Sequence, residues 1–183
     1  MKKILAVVVT AVLALSASGC GGRDDAGDDA GGDARASASI SRSLMKQQQP
    51  VSGTSQFFTL RRRDADCIGK GLVSRIGTQR LQRYGLLTKD LRAKDSVENV
   101  TMSSKDASSA TDTLFGCADV AAMMRTAINR TGNIPAAMKS CVGKALTEEH
   151  LRPMFQQVFE GNSSAAQKRL AAPLMRCAVA AKS

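Results

Sequence analysis

The chain has 183 residues, with 26 basic and 16 acidic side chains and a formal net charge of +10. It contains one His, no Trp, one Tyr and five Phe. A single His excludes His-rich metal sites, and the scarcity of aromatics leaves little surface for stacking nucleic-acid bases. No cofactor is expected from the remaining residues.

The first element is a signal segment. Met1, Lys2 and Lys3 form a positive start, and residues 4–17 are apolar apart from Thr10 and Ser16. That run falls short of the roughly 20 apolar residues a membrane span needs, and it has the length of a signal-peptide core. Ala17, Ser18, Gly19 and Cys20 follow. This ending resembles the lipobox of bacterial lipoproteins, with Ala17 where Leu is usual. The resemblance covers residues 1–20 alone and no family is recognised for the rest. It implies cleavage before Cys20, acylation of that Cys, and residence on the outer face of the cytoplasmic membrane. An ordinary secretory signal, cut after Ser16, Ala17 and Ser18, is the competing reading. Cysteine parity argues against it. The five Cys stand at 20, 67, 117, 141 and 177. Four can pair in an oxidising compartment, and lipidation accounts for the fifth.

Residues 20–56 are expected to be the lipidated Cys followed by a linker. Residues 21–39 hold two Arg and five Asp, with no aromatic, β-branched or large aliphatic side chain. Such a segment buries too little surface to offset its chain entropy, so disorder is expected, with a reach of about 25 Å as a coil. Residues 40–56 are ambiguous, because Ile40, Leu44 and Met45 suggest helix while Pro50, Ser52 and Gly53 interrupt it. Residues 40–183 carry 22 basic and 11 acidic side chains, a net +11. An acidic leash thus precedes a basic body.

Residues 57–183 are expected to form one small all-α domain. Asp64 is placed to cap a helix carrying Ile68, Leu72 and Ile76. Residues 88–103 are polar and are expected to be a surface loop. Leu114, Cys117, Ala118, Ala121, Met124, Arg125 and Ile128 form one helical stripe, with a cap at or beside Ser104. Thr147, Glu148 and Glu149 open a helix whose stripe is Leu151, Met154, Phe155, Val158 and Phe159, with Pro153 inside it and Gly161 as its stop. A last stripe runs through Leu170, Leu174, Cys177 and Ala181, after Ser163 or Ser164. No run alternates strictly, so no strand is predicted.

The body also repeats. Cys67-Ile68-Gly69-Lys70-Gly71-Leu72 resembles Cys141-Val142-Gly143-Lys144-Ala145-Leu146. Each is followed by a Thr-led helix, at Thr78 and Thr147, and then by a helical Cys before Ala, at Cys117 and Cys177. The units span about 64–130 and 138–183, and the order implies duplication. Four Cys allow three pairings, and the repeat favours Cys67–Cys117 and Cys141–Cys177.

No catalytic constellation emerges. A triad would need His150, which lies beside Glu148 and Glu149 in a charged first turn. Ser43-Leu44-Met45-Lys46 resembles the S-x-x-K pattern of penicillin-interacting enzymes, without its companion motifs. Gly69-Lys70-Gly71 lacks phosphate-loop spacing. Three sequons begin at Asn99, Asn129 and Asn162. Arg61, Arg62 and Arg63 form the densest basic run, and with Arg75, Arg80 and Arg83 they could meet anionic lipid or wall polymer. The expectation is a non-enzymatic binding module, tethered to the membrane through Cys20. Its rivals are a structural or inhibitory lipoprotein that grips an envelope protein in an apolar groove between the repeats, and a hydrolase with an unrecognised Ser or Cys nucleophile.

Overall fold

A computed structural model describes residues 26–48, 60–94, 100–130, 132 and 134–180. Cys20 and the signal segment lie outside the described residues, as do Asn99 and Ala181. The described residues form eight helices and no strand: α1 (Ala26–Lys46), α2 (Arg62–Ile76), α3 (Thr78–Arg83), α4 (Ser104–Cys117), α5 (Val120–Arg130), α6 (Ala136–Ala145), α7 (Glu148–Phe159) and α8 (Ser163–Ala180). The fold is all-α, as composition and periodicity imply.

The two disulfides form in the pairing that the repeat favours. Cys67 on α2 bonds to Cys117 on α4, and Cys141 on α6 bonds to Cys177 on α8. The Cα atoms stand 5.6 and 5.5 Å apart. Each bridge therefore joins the first Cys helix of a unit to its last. The contacts also group α5, which the expected first unit of about 64–130 included, with α6 and α7. α1 packs on α2 and α3, and α5 packs likewise on α6 and α7. Each unit is thus a lead helix, a Cys helix, a Thr-led helix and a closing Cys helix.

The lead helix of the first unit overturns the expected disorder. Residues 26–46 are helical, and Ala36, Ile40 and Ser41 are buried. Composition misled because small residues bury little area by themselves, yet they allow backbones to approach closely. A Cβ on Gly69 of α2 would collide with the backbone of Ser37 and come within 3.4 Å of Ser41 N. Polar ties then hold α1 in place. The Ser41 hydroxyl donates to Asp66, the Thr78 hydroxyl donates to Asp33, and the Ala93 N–H donates to Ser39 Oγ at 2.8 Å. Within the span expected to be linker, the folded body thus already includes α1.

The first core gathers Ile40, Val73, Ile76, Leu81, Leu87 and Met102. The described residues of the expected surface loop, 88–94 and 100–103, are non-helical but are anchored to the body. Met102 is buried, Leu91 packs against the core, and the Lys94 N–H donates to the Leu86 carbonyl at 3.1 Å. The second core gathers Val142, Leu146, Leu151, Met154, Ala166 and Cys177. α7 serves both cores: Leu151 and Met154 enter the second, whereas Phe159 packs on the first. Val158, expected in the same stripe, stays 41% exposed.

Two local signals act differently from expectation, and the α4 cap falls beside Ser104 as expected. The helix around Cys67 begins two residues before Asp64, and Asp64 lies in its first turn. The stripe from Leu114 to Ile128 is two helices, because Ala118 turns extended at φ −141° and Asp119 caps α5 by accepting from the Ala122 N–H at 2.8 Å. The α4 cap is Ser103, whose hydroxyl oxygen accepts from the Asp106 N–H. Gly161 does end α7, in the left-handed region at φ +80°. Pro153 sits inside α7, where it removes one helical N–H but leaves the helix continuous.

Candidate functional site

The basic run stands at the start of α2. Arg61, Arg62 and Arg63 are all exposed, but the helix turn beneath them carries two carboxylates. Arg61 Nε lies 3.0 Å from Asp64, Arg63 Nε lies 3.3 Å from the same carboxylate, and Arg62 Nε lies 3.3 Å from Asp66. Burial pushes the Asp64 carboxyl up, but hydrogen bonds and charge from Arg61 and Arg63 outweigh it and hold it below the usual carboxylate range. The Asp66 carboxyl is also held low, first by the Ser41 hydroxyl, then against burial by Arg62 and Lys70. Three guanidiniums thus share two ionised carboxylates, and the run is less cationic than its sequence.

The other arginines do not join it as one patch. Arg80 turns inward: its Nε donates to the Ile76 carbonyl at 2.6 Å and its Nη1 lies 3.2 Å from Asp106 Oδ1. Asp106 is the most buried carboxylate among the described residues, 1% exposed. Tyr84 donates to its Oδ2 at 2.8 Å, while Oδ1 has ion contact with Arg80 but no aligned hydrogen bond. This cluster ties α3 to α4 and has the character of a structural hub. Arg75 and Arg83 are exposed at the ends of α2 and α3.

The two units meet where α4 packs on α7. Arg152 Nη1 lies 2.7 Å from Asp112 across that junction, and its Nε lies 2.6 Å from Glu148. The guanidinium also covers the Phe115 ring at 5.0 Å, and Phe115 meets Phe155 edge to face at 5.6 Å. Beside this junction, where α4 passes to α5, a shallow groove of about 310 Å³ is lined by Phe115, Ala118, Val120 and Ala121, with Asp119 and Glu148 at its polar side.

Nucleophile chemistry finds little support in this geometry. The four body cysteines are all in disulfides. His150 is exposed, and its Nδ1 is 2.7 Å from the Thr147 hydroxyl. Ser43 and Lys46 lie on α1, and Gly69-Lys70-Gly71 lies within α2 rather than in a loop. Among the described residues no cluster of His, Cys, Asp or Glu could hold a metal ion, and no helix is long and apolar enough to cross a membrane.

α8 carries the feature that periodicity missed. Leu170 and Cys177 face the second core as expected. Met175 and Val179 point outward instead, 66% and 72% exposed. The inner stripe by itself satisfies the helical pattern, and Met175 and Val179 form a second apolar pair at i, i+4 outside it. The signal was there: residues 163–180 contain no acid.

In comparisons with known proteins, no family model, no curated protein and no solved structure matches this chain.

Proposed function

We propose that the protein is a lipoprotein held outside the cytoplasmic membrane through acylated Cys20, and that its helical body is a non-enzymatic module that binds anionic components of the envelope. One observation carries this reading: residues 40–183 bear a net +11. Such an excess raises the local concentration of polyanions and anionic headgroups within a Debye length of the surface. Carboxylates at 64, 66, 106, 112 and 148 are engaged with arginines of the body itself, and the net +11 already counts them.

The test uses the full chain carrying Cys20→Ser, which removes the tether. It should be retained on phosphatidylglycerol vesicles or on wall preparations at low salt and released by about 0.5 M salt, where screening is nearly complete. Equal behaviour on zwitterionic and anionic vesicles, with no retention on wall, would sink the reading.

The rival reading is a structural or inhibitory lipoprotein that grips one protein partner; the groove where α4 passes to α5 is mainly polar at its surface, with Asp119 and Glu148, and so does not provide the apolar wall that reading needs. Partners recovered with the protein in high salt would support it over the electrostatic reading.

A further inference from the structure

α8 has two faces. Ala166 and Cys177 are buried against the second unit, which fixes the helix rotationally. At about 100° per residue, Ala171, Ala172, Met175 and Val179 fall on the opposite side within an arc of roughly 100°. All four are exposed. Lys168 lies inside the same arc, and Arg169 and Arg176 lie along one edge of it. The helix has no acidic residue to oppose them. Unlike Arg61, Arg62 and Arg63, these three cations have no ion pair among the described residues. Met175 and Val179 are two of the three exposed large hydrophobic residues among those described.

We infer that the outer face of α8 lies on anionic phospholipid, with Met175 and Val179 entering the boundary between headgroups and acyl chains while Lys168, Arg169 and Arg176 meet the phosphates. This rests on the proposed binding of anionic envelope components and names the surface and the ligand. Exposed apolar side chains beside cations, on a helix free of acids, suit contact with an anionic membrane interface. Wall polymers are hydrated throughout and give Met175 and Val179 nothing to enter. A bilayer supplies both the charge and the apolar phase.

The chain contains no Trp, so a single introduced indole reports on one place. Met175→Trp is made in the full chain carrying Cys20→Ser, with Val158→Trp on α7 as the control. Vesicles of phosphatidylglycerol or phosphatidylcholine carry bromine atoms high on the acyl chains. In phosphatidylglycerol the Met175→Trp reporter should shift to the blue and be quenched by bromine; in phosphatidylcholine, and for the control, neither should occur. Adding Lys168→Gln, Arg169→Gln and Arg176→Gln to the reporter should weaken binding roughly 100-fold, at about five-fold per cation. With the native Met175 position free of indole, Met175→Ser with Val179→Ser should lower vesicle affinity about ten-fold.

Emission unchanged by phosphatidylglycerol overturns the inference. A blue shift without bromine quenching also overturns it, and assigns the face to a protein contact. If the reporter is silent while salt-sensitive sedimentation with vesicles persists, α8 is wrong and the electrostatic reading survives. If the chain binds neither anionic vesicles nor wall, both fall.

Discussion

The carbonyl oxygen of Ser37 occupies the space into which a Cβ on Gly69 would project. Gly143 is the repeat counterpart of Gly69, yet there the nearest atom to an added Cβ is Arg125 Cδ at 3.8 Å, an ordinary contact with a flexible side chain. The same substitution should therefore have opposite signs. Ala exceeds Gly in helix propensity by about 1 kcal/mol. Gly143→Ala should gain about 0.5–1 kcal/mol. Gly69→Ala must displace the α1 backbone, and overpacking of that kind costs about 1–3 kcal/mol, so after the propensity gain a net loss of up to about 2 kcal/mol is expected. Urea unfolding of both variants checks this, and equal shifts would contradict the docking of α1.

That contrast also shows where sequence reasoning ends. Cys67, Cys117, Cys141 and Cys177 were legible because a duplicated order restricts pairing. The stripe on α7 was legible because Leu151, Met154 and Phe155 are large. α1 was not, since Ala36, Ser37 and Gly69 act through what they lack, and hydropathy does not register close backbone approach. The break at Ala118 and Asp119 was hidden by apolar residues that keep helical spacing across it. The Arg61–Arg63 run read as a patch because its neutralisation by Asp64 and Asp66 depends on side-chain direction.

Acid should destabilise the first unit through Asp64 and Asp66. Asp64 and Asp66 have folded pKa values below their ordinary range. A carboxylate depressed in the folded state adds stability above its unfolded value, and this is lost as pH falls through the folded value. Stability should hold from neutrality to about pH 5 and decline below about pH 4. Asp64→Asn should flatten part of that decline, and Ser41→Ala should flatten the part due to Asp66. Denaturant midpoints across pH, identical in slope for the parent and Asp64→Asn, would refute the assignment.

Arg152 should couple the two units. Arg152→Ala removes the pair with Asp112 and the cover over Phe115, at a cost of about 1–2 kcal/mol. In a double-mutant cycle with Asp112→Asn, a coupling of about 0.5–1 kcal/mol is expected. A value near zero would mean that α4 and α7 are held by their apolar contacts alone.

Intact mass of protein extracted from membranes should show cleavage before Cys20, added acyl mass and two disulfides. A free thiol at Cys20 with no added mass would end the tether reading. Each bridge should be worth about 4 kcal/mol, given closed spans of 50 and 36 residues. Cys67→Ser with Cys117→Ser, compared with the parent in urea, measures the first.

The placement of the bridges has a mechanical consequence. Neither disulfide reaches α1, and neither crosses between the units. In a chain held at Cys20 and pulled by whatever its body grips, load would enter through α1. The first seam to carry that load is then the fit of small residues between α1 and α2. Peeling there would lengthen the leash, while residues 67–117 and 141–177 could not pay out chain as long as their bridges stayed closed. Such a body would yield by extending its tether first and keep each Cys-closed unit short under tension.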